Sequence, residues 1–336
     1  MQQVDVQGSP PMWRSGLVTA WRVGGFHRPG LVLWSDRLFY ALARLAALAV
    51  IGLTILLVVE LFRGSSEAIR HFGIGFISGT TWDPVKEQFG TLPTIIGTLI
   101  KGALALLLAV PIAIGTAIYI VFYAPPRLSV VLSYMAESLA AIPSVIYGLW
   151  ALFILVPIIR SVQVWLKAHF GWFQPFNGPA NYGVGILAGS VILAIMITPI
   201  IVALSRDLIR AVPRTQAEGM RALGATKWES IWHGVLPYAR SGLVGAVVLG
   251  LGRALGETMA VTMVGGNAIR LTHSLFDPVA SMSSQIANEF SEATSSLYVS
   301  SLIYVGLVLF AITILVNLAA LWLIWRVSKG THAIRE

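Results

Sequence analysis

The segment EGMRALGATKWESIWHGVLPYARSG, residues 218–242, is too polar to cross a bilayer and too patterned to be slack. Upstream of it, Pro213 suits a first helical position, where its preset φ fits and its missing N–H is no loss. Gly224 suits a C-terminal stop, since glycine accepts the left-handed conformation that closes a helix. Thr226 and Glu229 have the T-x-x-E spacing of a capping box, in which each side chain satisfies a free backbone N–H of the other residue. Pro237 predicts the end of this second helix, because its ring crowds the carbonyl four residues back. Two short helices joined at a corner are therefore expected. Taken alone, that hairpin is only a connector between two apolar runs.

Those runs set the fold class. Outward from the hairpin, apolar stretches recur at roughly 38–62, 95–123, 138–159, 184–204, 243–265 and 298–325, each near or above the ~20 residues that cross a hydrocarbon layer as helix. With 56% hydrophobic residues, 11% charged residues and a mean hydropathy of +0.78, the 336-residue chain lies outside the range of soluble domains. The expectation is an all-α membrane protein of six transmembrane helices, with residues 1–37 as a weakly patterned N-terminal tail, 38–327 as one membrane domain and 328–336 as a short C-terminal tail. The run Leu38–Phe62 is too long for the apolar region of a signal peptide and is expected to remain as a helix.

The formal charge of +8 follows topology rather than nucleic acid, because the basic residues are spread over short loops. Arg14, Arg22, Arg28 and Arg37 precede the first span, Arg127 lies between the second and third, and Arg206, Arg210, Arg214, Arg221, Lys227 and Arg240 lie between the fourth and fifth. Arg326, Lys329 and Arg335 follow the sixth. The opposite loops carry Arg63, Arg70, Lys86, Arg160, Lys167 and Arg270, so the positive-inside bias predicts cytoplasmic termini. With no cysteine, disulfides and thiolate metal sites are excluded, and the six histidines have no metal-ligand spacing.

Two charges sit inside the fifth apolar run, GLGRALGETMAVTMVGGN from 250 to 267. Arg253 lies thirteen residues beyond Arg240, about 20 Å along a helix. Glu257 follows one turn later, the spacing of a helical ion pair. Such a pair either fixes helix packing or marks an anion path, and embedded charges more often mark paths. Arg253 offers a fork matched to two oxyanion oxygens, and Glu257 a carboxylate able to accept from a protonated oxyanion while repelling a fully deprotonated one. Gly252 and Gly256, four apart, are expected to allow close helix packing. Arg44 and Lys101 lie near span ends, where snorkelling accounts for them. Glu137 is expected at a helix start, Pro143 as a kink, and Asn317 in an interhelical hydrogen bond. The loop 266–296 is expected to form short helices that plug the outer mouth or receive a partner.

With these residues in view, the hairpin resembles the EAA loop of ABC importer permeases, E-A-A, three residues, Gly, nine residues, then I-x-L-P. Glu218, Gly224, Leu236 and Pro237 fall in register, whereas Gly219 and Met220 replace the alanines and Gly234 the isoleucine. GRALGET (252–258), AIPSVIYG (141–148), SLFDP (274–278) and IANEFSEA (286–293) further resemble the C-type permease subunits of phosphate-specific (Pst) transporters. The resemblance implies a type I ABC importer permease fold, in which the loop at about 206–240 is a coupling helix docking on an ATPase through Glu218, Gly224, Thr226, Glu229, Leu236 and Pro237. It implies that Arg253 and Glu257 serve phosphate passage. It also implies a related A-type permease, two ATPase subunits and an extracytoplasmic phosphate-binding protein as partners, in the lipid of a bacterial or archaeal cell membrane. No cofactor is expected on this chain: G-x-x-x-x-G-K-[ST] does not occur in it, so ATP and its magnesium would be used by the partner. A channel, a secondary transporter or an embedded enzyme would leave the loop string unexplained.

Overall fold

The computed structural model describes residues 29–180 and 182–329, so the tails 1–28 and 330–336, with Arg14, Arg22, Arg28 and Arg335, lie outside the described residues. The chain divides into two units at residue 58. The first unit holds most of helix α1 (Pro29–Gly64), on which Leu38, Leu45, Leu48 and Leu53 are exposed, as on a lipid-facing helix. Arg44 is exposed on the same helix.

The second unit runs from the end of α1 through α2 (Ser66–Phe72), α3 (Gly75–Ser78), and a two-residue hairpin of β1 (Trp82–Asp83) and β2 (Gln88–Phe89). Helices α4 (Leu92–Ile118), α5 (Pro126–Ala140), α6 (Ser144–Trp150), α7 (Val156–Phe170) and α8 (Ile186–Arg210) follow. Beyond α8 come α9 (Arg214–Ala222), α10 (Lys227–Glu229), α11 (Leu236–Gly256), α12 (Met259–Val264), α13 (Met282–Glu289) and α14 (Ser296–Lys329). Among the described residues six helical stretches are long and apolar enough to span: 36–64, 92–123, 144–170, 186–210, 227–256 and 296–322.

Four of the expected spans match these closely, and the third and fifth are displaced. Around Pro143 the chain breaks fully. Ile142 is disfavoured in the α region by the proline after it, so α5 ends at Ala140 and the third span starts at Ser144. The Tyr147 hydroxyl closes the gap by donating to the Leu139 carbonyl at 2.9 Å. Glu137 is consequently near the end of α5 rather than at a helix start, and its carboxylate meets Arg206 of α8 at 2.9 Å.

At Pro237 the opposite happens. The helix does not end there: a π-helical turn over Ser230–Val235 carries it from α10 into α11. A similar turn at Ala151–Leu155 precedes Pro157 by two residues inside the third span, whereas the one at Tyr119–Tyr123 closes its helix before Pro125. The widened i→i+5 turn moves away the carbonyl that the proline ring would strike and leaves no i→i+4 bond for the missing N–H to make.

The core lies between α4 and α8. Ala105, Ala109 and Ala113 recur every fourth residue on α4 and pack on Leu193, Ala194, Ile197 and Ile201 of α8, all buried. Without a hydrophobic drive in lipid, such a small-residue stripe lets two backbones approach and gain dispersion contact. On the other side of the unit, Phe89 stacks on Tyr298 with ring centroids 5.2 Å apart, and Phe76 on Tyr304 at 4.3 Å. Glu289 accepts from Trp82 Nε1 at 2.6 Å and from the Tyr298 hydroxyl at 2.9 Å. Burial pushes the Glu289 carboxyl above the usual range, and the two donors work against that rise.

Gly97 of α4 illustrates how tight the fit is, since a Cβ there would lie 2.5 Å from the Ala280 carbonyl oxygen, whereas one at Gly115 would meet nothing within 4 Å. Gly97→Ala should therefore destabilise by about 1–3 kcal/mol through overpacking, and Gly115→Ala should be neutral or stabilise by up to about 1 kcal/mol. Thermal unfolding of the two variants in one detergent measures the contrast. Equal midpoints would refute this account of the α4 face.

Candidate functional site

In the elbow between the fourth and fifth spans the stop and the cap fall where the sequence predicts, whereas Pro213 precedes α9 rather than opening it. Helix α9 ends at Ala222, and Gly224 follows with φ +89°, a left-handed conformation that side chains resist. Thr226 then caps α10: its Oγ1 accepts from the Glu229 N–H at 3.3 Å, and Glu229 Oε2 accepts from the Thr226 N–H at 2.8 Å. Lys227 reaches back to donate to the Phe122 carbonyl, tying the elbow to the end of the second span.

Gly234, the residue that stands where the resembled pattern has isoleucine, is set against α9. A Cβ there would lie 3.0 Å from Met220 Cγ and 3.1 Å from the Gln216 carbonyl oxygen. Glycine at 234 thus lets α9 lie on the π turn. Glu218, on α9, lines a recess with Arg210, Arg214 and Arg221. Leu223 is 86% exposed, and Trp228 and Trp232, stacked with centroids 5.7 Å apart, are about half exposed. Half-buried Leu236 and exposed Pro237 lie one π turn further on, at the start of α11.

The membrane charges are arranged differently from the expected helical pair. Helix α11 stops at Gly256, and Glu257 is extended, with φ −69° and ψ 124°. Among the described residues Arg253 and Glu257 form no ion pair. Arg253 is exposed and lines an apolar recess with Gly245, Leu249, Gly252, Asn317 and Leu321. Asn317 thus faces the same recess as Arg253 and makes no interhelical hydrogen bond among the described residues. Gly252 and Gly256 pack on nothing, for a Cβ at either would have no neighbour within 4 Å; the close packing falls to the alanines of α4 and to Gly250, which meets Ile201.

Glu257 turns inward and is 9% exposed. The cation that shares its cavity is Lys101, with Thr98, Ser281 and Ser283 also in the lining. Lys101 does not snorkel. It is 1% exposed and runs between Gly189 and Gly265, either of which would crowd it if it carried a Cβ. Its Nζ donates to the Val279 carbonyl at 2.5 Å. Ser283 Oγ donates to the Glu257 carbonyl at 2.8 Å, and Thr98 Oγ1 accepts from the Met282 N–H at 2.9 Å. The loop after residue 266 does form a short helix, α13, whose first turn is buried among these groups.

With this geometry in hand, the comparisons with known proteins agree with one another. Residues 109–329 match the family described as "Binding-protein-dependent transport system inner membrane component". Over 303 residues, 89% of this chain and 93% of its relative, the sequence is 43% identical to "Phosphate transport system permease protein PstC" of Mesorhizobium japonicum. Over 298 residues, 88% and 93% respectively, it is 45% identical to the PstC of Pasteurella multocida. The chain belongs to the PstC family of these permeases.

A solved structure of the MetNI methionine ABC transporter, in an inward-facing conformation, shares the fold with TM-score 0.50 at 19% identity, covering 71% of this chain and 94% of that one. As a PstC-family permease, the chain is a transport subunit with the ABC importer permease fold and a multi-pass membrane protein. The match to the family model includes the elbow, Arg253 and Glu257, but begins eight residues after Lys101.

The elbow yields a direct test. Thr226→Ala removes one half of the capping box, and should loosen α10 by about 1 kcal/mol, making exchange of the Glu229 amide roughly fivefold faster. Hydrogen–deuterium exchange of the intact membrane protein reads this, and an unchanged rate would mean that the cap contributes nothing.

Proposed function

We propose that this chain is the C-type permease subunit of an ATP-driven phosphate importer in a bacterial or archaeal cell membrane. It pairs with a related A-type permease, rests on two ATPase subunits that hydrolyse ATP with magnesium, and receives phosphate from an extracytoplasmic binding protein. The observation that carries the reading is mechanical. From Lys227 to Gly256 the elbow and the fifth span are one helix of 30 residues, about 45 Å long, ending at the break before Glu257.

A rigid body of that kind converts movement of the elbow into movement at the membrane charges. Force from a partner enters through the exposed Leu223, Trp228 and Trp232, which suit a buried contact. Gly224 and the capping box hold the corner angle, and Glu218, Leu236 and Pro237 flank it. The positive-inside distribution of Arg206, Arg210, Arg214, Arg221 and Lys227 supports a cytoplasmic elbow and, with it, cytoplasmic tails. Arg253 attracts the anion with a permanent charge. Glu257 accepts a hydrogen bond from a protonated oxyanion and repels sulfate.

Labelled phosphate uptake should return to a deletion strain given this chain with its partner subunits. Gly224→Val should insert normally yet lose uptake, because a β-branched residue cannot hold φ +89° at the corner without about 1–2 kcal/mol or more of strain. Arg253→Gln should lose uptake, whereas Glu257→Gln should keep part of it and admit sulfate. Normal uptake by Gly224→Val would remove the elbow from coupling, and sulfate exclusion unchanged in Glu257→Gln would remove the filter.

A further inference from the structure

Lys101 and Glu257 present an energetic problem that the fold leaves unsolved. Both are buried, they line the same cavity, and among the described residues neither belongs to an ion pair. An ammonium has three donors, and here Nζ is given one backbone carbonyl. The Glu257 carboxylate is given one long bond, 3.4 Å from the Ala260 N–H. Opposite charges in a low-dielectric interior gain most when they meet and hydrogen-bond. These two are held apart, with hydroxyls from Thr98, Ser281 and Ser283 set around the same space.

That combination is complementary to one kind of ligand. A cation and hydroxyl donors suit the charged oxygens of a tetrahedral oxyanion, and a carboxylate opposite them suits its P–O–H. We propose that Thr98, Lys101, Glu257, Ser281 and Ser283 form an oxyanion-binding station for hydrogen phosphate, closed in this conformation, in which Lys101 is the cation that holds the substrate. The proposal rests on the reading of the chain as a phosphate permease and adds to it a second cation, in a cavity that Arg253 does not line.

The closure has an identifiable cause. The cavity is about 10 Å³, room for roughly one water. Ser281 and Ser283 bring the stretch Val279–Ser284 to its wall, and that stretch is pinned by Lys101 through the Val279 carbonyl, by Thr98 through the Met282 N–H, and by Ser283 on the Glu257 carbonyl. In two of these bonds a site group is the donor, Lys101 Nζ and Ser283 Oγ. An arriving oxyanion that takes the Lys101 ammonium and the Ser283 hydroxyl removes two of the three pins that close the site, so binding and opening are one exchange of hydrogen bonds.

The absence of cysteine makes the test clean in this chain. The complete complex, in proteoliposomes with binding protein and ATP, is assayed for phosphate uptake as parent, Lys101→Met and Val261→Cys, the last placing a thiol on the cavity lining with Lys101 intact. Lys101→Met should lower uptake at saturating phosphate roughly 10- to 100-fold with the complex still assembled. In Val261→Cys during turnover, phosphate should slow modification of the introduced thiol by an aminoethyl methanethiosulfonate reagent, whereas sulfate should not, and adding Lys101→Met should abolish that protection. If Lys101 only pinned the loop, protection would survive its replacement. Uptake at the parent rate by Lys101→Met, or a modification rate indifferent to phosphate, overturns the proposal. Should Lys101→Met fail to assemble, Ser283→Ala decides: a loss of at least about threefold supports the station, and parent-like uptake overturns it. A parent complex that moves no phosphate would instead refute the phosphate reading itself.

Discussion

Hydrocarbon offers nothing to an unpaired N–H or C=O, so every interruption of a membrane helix must be satisfied by protein. This constraint organises the permease. Where a proline falls near a continuous helix, a π turn absorbs it, as at Ser230–Val235 ahead of Pro237. Where the chain breaks outright, other groups close the gap: Tyr147 across the break before Pro143, and Ser283 on the Glu257 carbonyl where α11 ends. The second break gathers charge, hydroxyls and an inserted loop in one place because an open end at that depth demands partners. The elements that make the site are those that repair the backbone.

The two ends of the fifth span illustrate a division of labour. At the elbow the backbone is fixed by local chemistry, a left-handed glycine and a capping box, and by the glycine that lets α9 lie on the π turn. At the other end, Glu257 is held through its carbonyl by Ser283 of α13 and shares its cavity with residues of α4. A stiff helix joins an end defined by its own sequence to an end defined by its neighbours.

Legibility in the sequence follows the same line. Six apolar runs, the stop at Gly224 and the box at Thr226 and Glu229 were readable because each is a local pattern with a local cause. The boundary at Pro143 and the passage through Pro237 were not, since a proline near a helix can break it or be absorbed by a π turn, and packing decides which. Periodicity placed Arg253 and Glu257 on one helical face; past the break at Gly256 Glu257 is buried while Arg253 stays exposed. Gly252 and Gly256 have the spacing of a packing face, yet the contact belongs to the alanines of α4, whose stripe looks like ordinary hydrophobicity. Lys101 is the clearest miss. A lysine nine residues into a span resembles a snorkelling residue, and only the glycines at 189 and 265, far off in sequence, reveal that it runs inward.

The exposed side of Arg253 bears on how such a subunit is made and kept. A guanidinium in contact with acyl chains costs on the order of 2.5–3.5 kcal/mol at helix centre, and the glycines beside it leave bare backbone on that flank. A copy synthesised without company therefore carries a built-in penalty that a covering surface would relieve. Covering that flank is thus worth to the subunit an amount of the same order as the cost of leaving it bare.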